Sequence, residues 1–252
     1  MKYFKSIGPV CLLWRATFSC FILISCASTD HHKLPQTEAL PAEQISLIDG
    51  VAKELYVLLI DDEDVPKRGA LKYELRSGNH MMVLNYYQTF STNPTSSVAG
   101  HYSYKNIYNY STRLITIGFN TEMGGKYFVG LDQRGGSWYP WVKEVSSGKI
   151  VSTIMDSGSS AIIGGNSACT IDSKYIISSP TKDNILYVPS HIYFYAFNKV
   201  SNVGSGPIGT IISETIYKEN VSGNRQYTRV YIVQVGYNKY VFVRKEGVTC
   251  SP

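Results

Sequence analysis

The chain is 252 residues long, 44% apolar and 17% charged, which excludes disorder over most of its length and leaves room for one large domain or two small ones. Its formal charge of +5 is no nucleic-acid footprint: Lys2, Lys5 and Arg15 lie in the first 25 residues beside no acid, the remainder carries only +2, and no basic run clusters. Tyrosine is in excess, with 20 copies, and Tyr, Val, Ile and Thr suit pleated, half-buried strands.

Residues 1–25 read as a signal peptide. Lys2, Lys5 and Arg15 supply its positive flank, and 16–25 is an uncharged, mostly apolar stretch. That stretch is too short for a membrane span, which needs about 20 apolar residues. Residues 23–26, Leu-Ile-Ser-Cys, have the form of a bacterial lipobox: apolar, permissive, small, then cysteine. A diacylglyceryl thioether on Cys26 would place palmitate-type chains in a bilayer, and two or more chains anchor stably where one is marginal. Ala27 stands where an Asp would retain the protein at the inner membrane, so the expected address is the outer membrane, facing the periplasm. Residues 26–38 are polar and aperiodic and are expected to form a flexible lipidated tether, with His31 and His32 solvated rather than metal-bound.

From Pro41 onward short β-type runs alternate with turn signals. Residues 55–60 (LYVLLI) form a strand candidate, closed by the acidic turn Asp61-Asp62-Glu63-Asp64, which is expected to be solvated. Leu71, Tyr73 and Leu75 alternate with Lys72 and Glu74. Ser77-Gly78-Asn79 makes a turn, and 81–87 (MMVLNYY) is expected to return as the hairpin partner of 71–75. In 114–120, Ile115, Ile117 and Phe119 give a strand one apolar face. Gly124-Gly125 turns the chain into 127–131, and Trp138 and Trp141 precede 142–145.

Four of these features, in order, resemble a group of small proteobacterial lipoproteins. Ile60-Asp61-Asp62 stands where that group has an Ile-Asp-Gly turn, and Ser77-Gly78-Asn79-His80 where it has Pro-Gly-x-His. Phe119 with Gly124-Gly125-Lys126-Tyr127 forms the third element, and 138–151 the fourth. The second element also resembles the PEGA-type β-domain of surface proteins. Asp62 replaces a turn glycine and Ser77 a proline. The resemblance covers 40–151, and it implies a β-domain in the cell envelope and no particular activity.

Beyond 152 the candidate strands are 185–188, 192–197, 210–217, 227–234 and 240–243, with turns at 204–207 and Ser222-Gly223-Asn224. The expected fold is all-β: a β-sandwich-like domain over 39–152, then a second small β-domain or strand extension over 153–252. Cys11 and Cys20 leave with the signal peptide and Cys26 carries the lipid, so Cys169 and Cys250 remain, and in an oxidising compartment they are expected to pair. Closing that 81-residue interval would stabilise the fold by roughly 4–5 kcal/mol in the chain-entropy view.

Little else points to chemistry. Residues 154–160 (IMDSGSS) imitate the aspartic-protease presentation of a catalytic carboxylate on Asp156, but that reaction needs a second aspartate in the same setting and the chain has no second copy. Gly-x-Ser-x-Gly is missing. His80, His101 and His191 are isolated, and no cofactor or metal is expected. Tyr102, Tyr104, Tyr108 and Tyr110 are the candidate binding face, since tyrosine offers area and a hydroxyl at low entropic cost. The expectation is a non-enzymatic envelope lipoprotein held to a membrane through its lipid, with another envelope protein or a glycan as partner. A subunit of a secretion or surface assembly is the sharper alternative, and a hydrolase using Asp156 the remote one.

Overall fold

The computed structural model describes residues 31–65, 72–91, 95–96, 102–103, 106–111, 113–156, 160–161, 168–189, 192–197, 206 and 208–250. The fold is all-β, as expected. Its strands are β1 (His31–Lys33), β2 (Ile45–Val51), β3 (Leu55–Ile60), β4 (Glu63–Asp64), β5 (Lys72–Arg76), β6 (Gly78–Ser91), β7 (Thr95–Ser96), β8 (Tyr102–Ser103), β9 (Asn106–Tyr110) and β10 (Ile115–Thr121). There follow β11 (Lys126–Arg134), β12 (Ser137–Glu144), β13 (Ser152–Ile154), β14 (Ser160–Ala161), β15 (Ala168–Ile171), β16 (Ile208–Val221), β17 (Asn224–Gly236), β18 (Lys239–Arg244) and β19 (Val248–Cys250).

The first sheet runs β1-β5-β2-β11-β12-β14, the second β13-β10-β6-β3-β4 with β9 also on β6, and the third β18-β17-β16-β15-β19; β7 and β8 pair separately. The inner faces of the first two sheets share one core. Ile48, Leu75, Tyr127, Val129 and Trp138 of the first meet Ile60, Met82, Leu84, Tyr86, Ile115 and Ile117 of the second. Trp138 is fully enclosed and its Nε1–H donates to Ser111 Oγ at 2.8 Å, so burying the indole leaves no orphan donor. The opposite face of the second sheet is apolar too. Leu58, Leu59, Tyr87 and Leu114 pack on Ile216, Leu186 and Tyr187 of the C-terminal region. A bulge between Val57 and Leu59 lets β3 serve both sides. The second sheet is therefore the middle of three layers, and the runs LYVLLI and MMVLNYY, apolar but for Asn85, belong to strands covered on both faces beyond Met81.

Several expectations need correction. Residues 31–38 are not a tether: β1 pairs in parallel with β5, Leu34 lies fully buried in the core, and a 3-10 turn follows over Pro35–Thr37. A lone apolar Leu in polar sequence supplied that anchor. The expected hairpin of 71–75 with 81–87 does not form. β5 pairs with β2 and β1, whereas β6 pairs with β3, β10 and β9, because the chain crosses between sheets at Gly78, whose φ of 135° suits only glycine. Residues 192–197 are not a strand but a turn of helix (Tyr193–Ala196), with Ile192 and Ala196 buried four apart and Tyr193 and Tyr195 outward. Residues 185–188 run extended beside β16 with one isolated bridge, Ile185 to Tyr217. β13 and β14 join the first two sheets, so strand pairing with the N-terminal part continues past residue 152.

Cys169 and Cys250 are joined by the expected disulfide, across register-paired positions of β15 and β19. It fastens the last strand to the start of the third sheet.

Candidate functional site

The β3–β4 turn, the start of β6 and the end of β10 meet around His80. Asp61 and Asp62, with φ of 50° and 61°, make the tight turn between β3 and β4; both central residues left-handed is the turn type that matches strand twist, and Asp tolerates it. His80, just past the Gly78 crossover, is buried against that turn. Its Nδ1 lies 2.6 Å from Asp61 Oδ2, and its Nε2 lies 2.7 Å from the Arg76 carbonyl and 3.1 Å from Thr121 Oγ1. Asp61 also accepts the Met81 N–H at 2.8 Å and the Gln36 amide at 3.1 Å. Ser46 Oγ donates to Thr121 Oγ1 at 2.9 Å, the Phe119 ring packs 5.4 Å from the imidazole, and Tyr127 OH accepts the Glu122 N–H.

The chemistry of this cluster is that of a clasp. A carbonyl only accepts, so Nε2 carries a proton, while Nδ1 faces a carboxylate. Both ring nitrogens are engaged within the cluster, so neither faces outward to take a proton from a nucleophile or to bind a metal. Burial pushes the Asp61 carboxyl up, but the bonds from His80, Met81 and Gln36 more than offset it and hold it below the usual carboxylate range.

Beside the clasp lies a shallow trough of about 530 Å³, lined by Asp62, Met81, Gly118, Phe119, Asn120 and Met155 among others. It exists because the third layer stops short. Along the outer side of β6, Asn85 is covered, its amide donating to the Glu214 carbonyl at 3.1 Å, while Met81 two strand repeats away stays 43% exposed. Met155 lies over Gly118, where a Cβ would stand 2.9 Å from its sulfur. Polarizable thioethers flanked by carboxylate and amide groups suit an adaptable apolar contact.

Asp156 is a clasp as well. Its Oδ2 accepts the Thr116 N–H at 2.7 Å and Arg229 Nη2 at 2.9 Å, tying the middle layer to the third. Burial raises this carboxyl, and the Arg229 and Thr116 bonds bring it below the usual range. Next to it Glu214, almost fully buried, accepts the Leu114 N–H at 2.9 Å and sits 3.2 Å from Lys245 Nζ and 3.8 Å from Arg229 Nη1. Sequence reading passed over Glu214, although a single acid inside the apolar run IISETIY was its signal.

The acidic turn is not simply solvated, which corrects a further expectation. Asp64 takes Lys218 Nζ at 2.6 Å, the Tyr227 hydroxyl at 3.1 Å and Arg225 at 3.4 Å, so the β16–β17 hairpin grips it. Of the tyrosine face, Tyr102 falls in β8 and Tyr108 and Tyr110 in β9, opposite Thr89 and Tyr87 of β6; Tyr104 lies outside the described residues, as do Cys26, His101 and His191. His32 packs edge-on against Tyr73, 6.2 Å between ring centres. Among the described residues no three His, Cys, Asp or Glu side chains gather as a metal site requires. Set against family models, curated proteins and solved structures, the chain finds no match.

Proposed function

We propose that this is an exported bacterial lipoprotein, anchored through Cys26 and facing the periplasm, whose three-layer β body binds or supports another envelope component rather than catalysing a reaction. The observation that carries the reading is the Cys169–Cys250 disulfide, a bond suited to an oxidising compartment, downstream of a lipobox sequence. Two features support a non-catalytic role. Asp156, the candidate protease carboxylate, is engaged by Arg229 and the Thr116 N–H, and His80 has both ring nitrogens on acceptors.

Fractionation of cells expressing the wild type and Cys26→Ser tests the anchor. The wild type should partition with membranes and carry acyl mass on its N-terminal peptide, and the variant should do neither. Wild-type protein without acyl mass, or a variant that still partitions with membranes, would refute it.

A further inference from the structure

We propose that Met81 and Met155 form a thioether site for one soft monovalent cation of the copper(I) class, set into the trough beside the His80–Asp61 clasp. Sheet register brings the two side chains together. Met81 of β6 is the direct partner of Gly118 of β10, and opposed residues of an antiparallel pair project to the same face. Gly118 projects nothing there, and Met155 takes the space: its Sδ lies 2.9 Å from where a Cβ would stand. The Cβ positions of directly opposed residues are about 5 Å apart, which puts the Met155 sulfur within about 8 Å of the Met81 Cβ. The flexible Met81 side chain and an ion held between two sulfurs close that gap.

Met155 is fixed before any ion arrives. Its N–H donates to the Thr116 carbonyl at 2.9 Å, and the next residue, Asp156, accepts the Thr116 N–H at 2.7 Å and Arg229 at 2.9 Å. The segment is thereby clamped along β10, which lowers the ordering cost of binding. The thioether itself stays open, with Met155 57% exposed.

The surroundings suit a cation and select its class. Asp62, Asn120 and Thr153 line the same trough, no Lys or Arg is among its described lining, and the charges of His80 and Asp61 face each other. A hard ion such as calcium needs a cage of oxygens, and zinc takes thiolate, imidazole or carboxylate groups, of which no three gather among the described residues. Thioether sulfur is soft and polarizable, and such ligands select copper(I) and its congener silver(I). Met123 supplies the contrast: it is 68% exposed, but it lines a different hollow with no second sulfur among the described lining. The site depends neither on the lipid anchor nor on an envelope partner.

The test uses the purified full chain with isotope-labelled methionine methyls, its free thiols capped by N-ethylmaleimide, in chloride-free buffer. Silver(I) nitrate is the redox-inert probe, and copper(I), kept reduced by ascorbate without oxygen, is the second. The methyl signals of Met81 and Met155 should shift together and saturate at one equivalent of either ion, while those of Met82 and Met123 hold still. Met81→Leu and Met155→Leu, which preserve volume and apolarity, should each weaken silver binding about tenfold or more, and Met123→Leu should leave it unchanged. Gly118→Ala, whose new methyl pushes the Met155 sulfur aside, should weaken it as well. Cys26→Ser should bind silver as the wild type does, so failure of the anchor and failure of the site are told apart. The proposal is overturned if silver(I) moves neither signal, if Met123 shifts in parallel with the pair, or if either Met81→Leu or Met155→Leu keeps full affinity. Displacement of silver(I) by an equivalent of zinc(II) would overturn it equally.

Discussion

His80 and Asp61 form a buried clasp, Nδ1 to Oδ2 at 2.6 Å, that staples the β3–β4 turn to the point where the chain leaves the first sheet for the second. The other ring nitrogen holds the Arg76 carbonyl on the near side of that crossover. His80→Ala would leave both acceptors and Thr121 without this partner in a site water barely reaches. The expected loss is about 2–4 kcal/mol in urea unfolding, and a loss below about 1 kcal/mol would contradict the clasp.

Acid should unfold the protein through the same kind of contact. Asp61, Asp64 and Asp156 all have carboxyls held below the ordinary value of 3.8; for each, burial acts upward and is outweighed by donated hydrogen bonds and nearby cations. The unfolded chain binds these protons more readily than the folded one. The stability they contribute is complete above the ordinary aspartate range and drains away as pH falls below it. Urea midpoints should therefore drop between about pH 5 and pH 2–3, and Asp61→Asn or Asp64→Asn should flatten the slope. A midpoint that held steady or rose over that range would be inconsistent with the geometry.

Glu214 is the charge on which the seam between the second and third layers depends. Glu214→Ala would take from Lys245 this partner, leave Arg229 with Asp156 alone and strand the buried Leu114 N–H without its acceptor, at a cost of about 2–3 kcal/mol. Glu214→Gln, which still accepts from Leu114, should cost less. Asp156→Ala should cost only about 1 kcal/mol, since its carboxylate is one-third exposed and solvent screens the pair. Chemical denaturation of the three variants checks the order.

Cleavage of the disulfide offers a fourth check. Cys169→Ser with Cys250→Ser should lower stability by roughly 4–5 kcal/mol, the entropy of an 81-residue closure. Hydrogen exchange should rise first in β15 and β19. A double variant as stable as the wild type would show that the bridge is incidental.

Local pattern was legible and long-range pairing was not. The alternation of Ile115, Ile117 and Phe119 sets the inward face of β10, and Ser222-Gly223 makes the β16–β17 turn, with φ of 53° and 86°. The hairpin expected between 71–75 and 81–87 failed because adjacency in sequence favours pairing, and nothing local reveals that Gly78 carries the chain to another sheet. IYFYAF is apolar throughout, so its period was hidden, and only Ile192 and Ala196 packing together on the third sheet makes it helical. The clasp was half visible. Asp61 and His80 stood in the motifs that carry the lipoprotein resemblance, but Thr121 and Ser46 join them from strands far along the chain. Arg229 and Glu214 owe their roles to sheet register, which no single segment encodes.

Because β3 and β6 are sheathed front and back, the N-terminal sandwich cannot be cut free. A chain truncated after β13 would carry Leu58, Leu59, Val83 and Tyr87 as a naked greasy plate and would clump rather than persist as half a protein. Lesions that detach the C-terminal hairpin should therefore surface as lost solubility, whatever the ligand.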